Sequence, residues 1–467
     1  MRTKENYLKS LADGREIYYR GQKIKNIAEH PVLKIAAIHS AKLYDLTDRL
    51  YFDNVINTNV SKYFKVPKDG KDLLERHKMI YNHTLLHNGI FNISQAIGSD
   101  AIFALMIVSK KIDKSLGTSY YERVKKFYEY VIKSDITIAV AQTDVKGDRS
   151  KRPSEQEDPD MYVRIVERRN DGIIVRGAKA HTTQSAVSDE IIVIPTRAMR
   201  ENEKDYAVAF SIPTNTKGLK MIIRPINEIE GNTSAIISKE DVELETLTIF
   251  DNVFVPWERV FLAGEYQFAG LLANLFATYH RFTAISYRAA LANLFLGAAS
   301  LMAKANGIID EHHIKDDLLD IIYYKEILLM SAISAAYTPV IDEEIAIPNP
   351  RYTNIGKLYT NTHFHNIIKD IIDIAGGIIV TMPSEEDLNN EEEKRYIEKY
   401  LRGAVNGKNR IKILKLVKEL AASFLTDRWL TSMIHAEGSI EVSKIALLRD
   451  YDIKSAEELV MRILQSS

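Results

Sequence analysis

Two short polar stretches concentrate the groups able to do chemistry: Ala141-Gln142-Thr143-Asp144-Val145-Lys146-Gly147-Asp148-Arg149 and Arg176-Gly177-Ala178-Lys179-Ala180-His181-Thr182-Thr183. Each follows a strand-like run, carries a glycine for tight backbone geometry, and gathers hydroxyls, an amide and positive charge within a few residues. That combination suits a large, anionic, hydrogen-bonding cofactor. Gln142 and Thr143 offer hydrogen bonds to a ring, Lys146 or Arg149 offsets phosphate or ring charge, and Thr182 and Thr183 supply donors without bulk. A charged loop capping a strand is the plainer reading of the first stretch, and a structural histidine the plainer reading of His181. Further along, a histidine in Tyr279-His280-Arg281 and a carboxylate, Glu245, form an acid/base pair for moving a proton at carbon if both face the cofactor; either is equally compatible with a structural role. Asp373-Ile374-Ala375-Gly376-Gly377-Ile378 reads as a helix end whose glycine pair is a plain C-terminus or a point of close backbone approach to a pyrophosphate.

The periodicity around these stretches shows what must position them. Apolar residues recur at helical spacing from about Lys71 to Lys133, which predicts an N-terminal helical domain over 1–135, preceded by a small hairpin that turns at Gly21. From Ile136 the period becomes two, in Ile136–Val140, Met161–Val166, Gly172–Val175, Glu190–Ile194, Tyr206–Phe210 and Leu247–Pro256, with Asn170-Asp171-Gly172 as a hairpin turn. This predicts a β domain over 136–270. After about Leu271 the helical period returns, predicting a bundle over 271–467 with helices that include Leu318–Tyr337, Tyr359–Ile374 and Asn409–Leu425. Such an α+β chain, with an N-terminal helical domain, a middle β-barrel domain and a C-terminal helical bundle, resembles the acyl-CoA dehydrogenase-like arrangement, in which a flavin lies between the β domain and the bundle.

Composition narrows the function class. The 62 basic and 63 acidic residues give a net charge of −1, and no basic tract interleaves with aromatics, so no nucleic-acid partner is expected. No window approaches about eighteen uninterrupted apolar residues, so no membrane span is expected, and the charged first residues predict a cytoplasmic protein. Cysteine is absent, which rules out thiolate nucleophiles, disulfides and cysteine-held metal or iron–sulfur sites; no metal site is expected.

Across almost the whole chain the sequence resembles the 4-hydroxyphenylacetate 3-hydroxylase / 4-hydroxybutyryl-CoA dehydratase family. The matching segments are Ala141–Arg149, Asp171–Thr183, Lys204–Val208, Phe250–Pro256, Glu265–Gly270, Tyr279–Arg281 and Asp373–Ser384. The resemblance implies an FAD-binding homotetramer with flavin contacts at Gln142, Thr143, Lys146, Arg149, His181, Thr182, Thr183, Gly376 and Gly377, and with Glu245, His280, Arg281 and Tyr287 in the active-site cavity. In the dehydratase branch, cysteines stand where this chain has Asn92, Ala96 and Tyr287, leaving His280 as the only ligand type retained. One histidine cannot hold a cubane cluster, so cluster-dependent radical dehydration is expected to be absent.

The hydroxylase branch needs no cluster, and Val255–Phe261 is closer to its pattern, although the Arg, Tyr and His that hold the phenol there have no clear equivalent here. The expectation is the oxygenase component of a two-component 4-hydroxyphenylacetate 3-hydroxylase-like monooxygenase, working on a small aromatic molecule with reduced FAD, O2 and a separate flavin reductase. The alternatives are a cluster-free acyl-CoA enzyme such as a vinylacetyl-CoA Δ-isomerase, in which Glu245 or His280 shuttles a proton, and a catalytically silent oligomeric scaffold.

Overall fold

The computed structural model describes residues 2–226 and 235–465; residues 227–234, inside the span read as the β domain, lie outside the described residues. The N-terminal third packs three helices, Gly70–Leu86, Ala96–Leu116 and Tyr120–Ser134. Asp69 caps the first by accepting from the Asp72 amide, and Gly117, in the left-handed region at φ 66°, ends the second. The helix Ala96–Leu116 is buried without a break from Ala96 to Ser109, and Asp100 is the one charged side chain in that run.

Among the described residues the strands form two larger sheets, beside two short two-stranded ones at Leu50–Asp53 with Thr58–Ser61 and Val340–Asp342 with Ile345–Ile347. One runs in the order Gln22–Ile24, Glu16–Tyr19, Leu219–Ile223, Thr246–Pro256, Gly172–Lys179, Arg164–Arg168, and the other Val260–Ala263, Val208–Pro213, Glu190–Val193, Ile138–Ala141. The N-terminal hairpin is therefore not a local ornament: Glu16–Tyr19 adds itself in parallel to Leu219–Ile223. Phe210 and Phe250, one from each sheet, meet edge to face at 5.9 Å within a shared core.

The helix Tyr266–Asn306 has 41 residues, about 60 Å at 1.5 Å per residue, and starts earlier than the period change near Leu271 indicates. It is long and apolar enough to cross a membrane by length and composition, but it is the axis of the bundle, packed by Gly70–Leu86, Ala96–Leu116, His312–Tyr337 and Pro350–Ala375. Its residues up to Tyr279 belong to the core shared with the β layer, and those from Phe282 onward to the core of the bundle. His280 and Arg281 fall in the seam between the two.

One predicted helix divides. Asn409–Leu425 becomes Gly407–Ala421 and Phe424–His435, because Ser423 accepts from the Leu425 amide and starts a new helix. The second helix ends at a turn in which Glu437 has φ 54° and Gly438 φ 110°. This break delivers Arg428 and Glu437 to the long helix.

Candidate functional site

The two polar stretches lie side by side. Ala180 donates to the Thr143 carbonyl at 2.8 Å. Lys179 reaches from the second stretch into the first, donating to the Gln142 carbonyl at 2.8 Å and lying 2.9 Å from Asp144, with a further bond to the Ile194 carbonyl at 3.0 Å. Asp144 in turn accepts from the Val163 amide at 2.9 Å. Burial pushes the Asp144 carboxyl up and the Lys179 ammonium down, each opposed by the other's charge. The pair fastens the two stretches into one wall, and Gln142 ties that wall to the long helix by donating to Ala273 at 3.3 Å.

On this wall Lys146 is half-buried with φ 71°, and His181, exposed, has φ 58°. Burial, with help from Arg149 and Arg197, holds the Lys146 ammonium below its ordinary range. None of these three cations is ion-paired with a carboxylate among the described residues. Arg197 is a third cation that the sequence reading did not single out. Thr182 is fully buried, its amide bonded to the Thr246 carbonyl and its hydroxyl without a partner among the described residues.

A second group sits in the seam. His280, held by a stacked Phe276 one turn earlier at 5.3 Å, stands between two carboxylates, with Nδ1 3.4 Å from Asp100 Oδ2 and Nε2 3.8 Å from Glu437 Oε1. Each carboxylate has its other oxygen occupied. Asp100 Oδ1 accepts from Arg76 at 2.7 Å and from Thr283 at 3.1 Å; Glu437 Oε2 accepts from Arg288 at 2.8 Å and lies 3.3 Å from the Lys357 ammonium. Burial alone raises the Glu437 carboxyl, but Arg288, Lys357 and His280 outweigh it and hold the group down at about 2. The Tyr287 hydroxyl lies 3.5 Å from Glu437 Oε1, and its ring stacks on Phe91 at 5.4 Å. Arg281 donates to the Glu437 carbonyl at 2.9 Å and to Asn354 at 2.6 Å.

Glu245 joins the same neighbourhood from the β layer. Thr183 donates to its two oxygens at 2.9 and 3.1 Å, and Arg428 bridges Glu245 at 3.2 Å and Glu243 at 2.5 Å. Burial pushes the Tyr287 phenol up; among its charged neighbours Arg288 and Arg428 counter this, while Glu437 and Glu243 add to it. Two groups therefore lie near one another: His280, Arg281 and Tyr287 around Glu437, and Thr183 and Arg428 around Glu245, with Arg428 and Glu243 close enough to Tyr287 to act on its charge.

The glycine pair does not join them within one chain. Gly376 and Gly377 are exposed at the end of the helix Pro350–Ala375, whose Asn354 and Lys357 touch the seam; nineteen residues of helix, about 30 Å, separate Lys357 from Gly376. An added Cβ at either glycine meets nothing within 4 Å, so no neighbour in this chain requires the absence of a side chain. Sequence reading also passed over Asp100, Arg288 as a ligand of Glu437, Lys357, Arg428 and Glu437 itself. Of these only Asp100 carried a signal: a single carboxylate inside an otherwise apolar helical run has to be paired when buried.

The wall suits a flavin. Its half-buried amide and hydroxyl groups line one edge, a buried hydroxyl with no partner among the described residues stands beside them, and three cations without an ion-paired carboxylate among the described residues offer a place for phosphates. A cubane cluster does not suit the seam. Asn92 is buried and spends its amide on the His39 and Ser40 carbonyls at 2.7 and 3.2 Å, Ala96 has no donor side chain, and Tyr287 is stacked on Phe91.

Comparison with known proteins agrees with the fold. A family model described as 4-hydroxyphenylacetate 3-hydroxylase N terminal matches residues 3–262, and one described as 4-hydroxyphenylacetate 3-hydroxylase C terminal matches residues 269–465. The chain is 32% identical, over 99% of each sequence, to 4-hydroxybutyryl-CoA dehydratase/vinylacetyl-CoA-Delta-isomerase of Clostridium aminobutyricum. Among solved structures, an oxygen-tolerant archaeal 4-hydroxybutyryl-CoA dehydratase from N. maritimus gives a TM-score of 0.94 at 29% identity, covering 100% of this chain and 95% of that one. The oxygenase component of 4-hydroxyphenylacetate 3-monooxygenase, complexed with FAD and 4-hydroxyphenylacetate, gives 0.91 at 24% identity, covering 100% and 99%, a likeness of fold.

Proposed function

The chain belongs to the 4-hydroxyphenylacetate 3-hydroxylase family, and on that premise we propose that it is an FAD-dependent oxygenase component acting on a small aromatic substrate. The observation that carries this reading is the pairing of an intact flavin wall with a seam whose Asn92, Ala96 and Tyr287 offer no cluster ligands. Bound in its reduced form, FAD supplies the activation of O2. The residues of this chain do the rest. Gln142 and Thr143 orient the ring edge, Lys146, Arg149 and Arg197 hold phosphate, and the Asp100–His280–Glu437 relay takes or returns a proton at the substrate hydroxyl. A separate flavin reductase delivers the reduced cofactor.

A second reading is supported by the same relay. Glu245, held by Thr183, and His280, beside Glu437, are the types of group that move a proton between two carbons of an acyl-CoA, and the Clostridium relative carries an isomerase activity in its name. The two readings part under oxygen. Purified protein is titrated with FAD and then given reduced FAD, O2 and 4-hydroxyphenylacetate, with oxygen uptake and a hydroxylated product expected. Turnover of vinylacetyl-CoA under anaerobic conditions, with no oxygen uptake in the first arm, selects the isomerase instead. Failure to bind FAD at micromolar concentration leaves only the scaffold.

The working unit we propose is a cytoplasmic homotetramer. Apolar side chains left outward on the helices His312–Tyr337 and Ile453–Gln465, among them Tyr323, Met330, Leu459 and Ile463, support association. In such an assembly the glycine pair serves the cofactor of another copy.

A further inference from the structure

We propose that Lys357 is a positioning residue for the seam: together with Arg288 it clamps Glu437 Oε2, so that Oε1 alone is presented to His280 and Tyr287. The inference rests on reading Asp100, His280 and Glu437 as proton-handling groups.

Two observations support it. Lys357 is fully buried, and its ammonium is fixed at two points, the Met433 carbonyl at 3.1 Å and Glu437 Oε2 at 3.3 Å. The backbone of Glu437 is fixed independently. Its φ of 54° lies in the left-handed region, Arg281 holds its carbonyl, and an added Cβ on Gly438 would stand 2.9 Å from Arg281 Nη2. With the backbone pinned, the two cations on one oxygen decide which way the carboxylate faces. A buried carboxylate beside a histidine and a phenol also needs that charge to stay ionised.

The choice of lysine has its own consequence. Burial, reinforced by Arg288, pulls Lys357 down to about 7 against the opposing charge of Glu437, so this cation, unlike its guanidinium neighbours, can give up its charge near neutral pH. The other charged and titratable groups facing the pair are Arg281, Arg288, His280 and Tyr287 on the long helix, with Tyr324 beside Arg288, Glu243 and Arg428 beyond Tyr287, and Arg449 beyond Arg281.

The test follows kcat and KM against pH for the FAD-loaded full chain, with whichever of 4-hydroxyphenylacetate or vinylacetyl-CoA it turns over. Lys357→Met is expected to lower kcat by about tenfold or more with little change in KM, and to move the acidic limb upward as Glu437 becomes easier to protonate. Lys357→Arg is expected to recover most of kcat and to move the alkaline limb upward, because a guanidinium keeps its charge. A wild-type profile in Lys357→Met, with turnover abolished by Glu437→Gln, overturns the role of Lys357 and leaves the proposed function standing. Full activity in Glu437→Gln overturns both. Should Lys357→Met fail to fold, Lys357→Gln carries the same expectations. A crystal structure of either variant in which Glu437 Oε1 keeps its distance to His280 also overturns the clamp.

Discussion

Lys179 and Asp144, which belong to different polar stretches, are bound to one another at 2.9 Å with both side chains buried. The contact makes one surface of two loops, and its loss has a specific cost. Lys179→Met leaves Asp144 buried without its counter-charge and is expected to destabilise the chain by about 3–5 kcal/mol, with FAD affinity falling in parallel. Pairing it with Asp144→Leu removes the stranded charge and should recover much of the melting temperature but not the FAD affinity. Thermal melts with flavin titrations check this, and a double variant no more stable than Lys179→Met would contradict it.

Tyr287 has a packing role through Phe91 and a chemical one through Glu437, and one atom separates them. Tyr287→Phe keeps the stack, so its melting temperature should stay near that of the parent while turnover drops by about tenfold. Tyr287→Ala should lose about 3–5 kcal/mol of stability as well. If the phenylalanine variant is fully active, the hydroxyl is a bystander.

Three cations on the wall without an ion-paired carboxylate among the described residues should make FAD binding sensitive to salt. Raising ionic strength from about 0.05 to 0.5 M is expected to weaken the parent's affinity clearly, and Arg197→Ala should weaken it and flatten that dependence. Arg197→Lys should behave nearly as the parent. Identical salt slopes for parent and Arg197→Ala would remove Arg197 from the site.

Away from the seam, Asp317 is buried with Oδ2 lacking a partner among the described residues, near Asp370, Asp373, Lys369 and His313. Burial and the Asp370 charge push its carboxyl up to about 6. A carboxyl raised in the folded state binds its proton more tightly there than in the unfolded chain, so its cost to stability is full above about 6 and is relieved as pH falls from there towards the ordinary value of 3.8. Asp317→Asn should therefore raise the melting temperature by a few degrees near pH 8, with the gain fading towards pH 5. A gain that persists unchanged at low pH would point to packing instead.

How far the sequence could be read depended on the range of the interaction. The alternation of Gly172–Val175 and the Asp171-Gly172 turn are decided by neighbours, and the strands Arg164–Arg168 and Gly172–Lys179 pair across that turn. The parallel addition of Glu16–Tyr19 to Leu219–Ile223 spans two hundred residues and leaves no local mark. The same holds in the site. His280 and Tyr287 stand seven residues apart on one helix face, as spacing indicates, whereas Glu437 lies beyond a second helix end and declares itself only by arriving. Lys357 sits among polar residues on a helix whose sequence does not reveal which side turns inward. The glycine pair shows the same limit from the other side: its sequence fits a plain helix end or a ligand contact equally well, and helix geometry sets it about 30 Å from the seam of its own chain.

The long helix contributes to both hydrophobic cores without a break, and the polar groups occupy the short stretch where one core hands over to the other. A chain built this way has no hinge between its halves. Neither half can lose its packing while the helix stays whole, so heat should unfold the protein in one cooperative event, with no isolated β unit or bundle surviving as an intermediate. The groups that handle the proton are then held by the element whose loss costs the most.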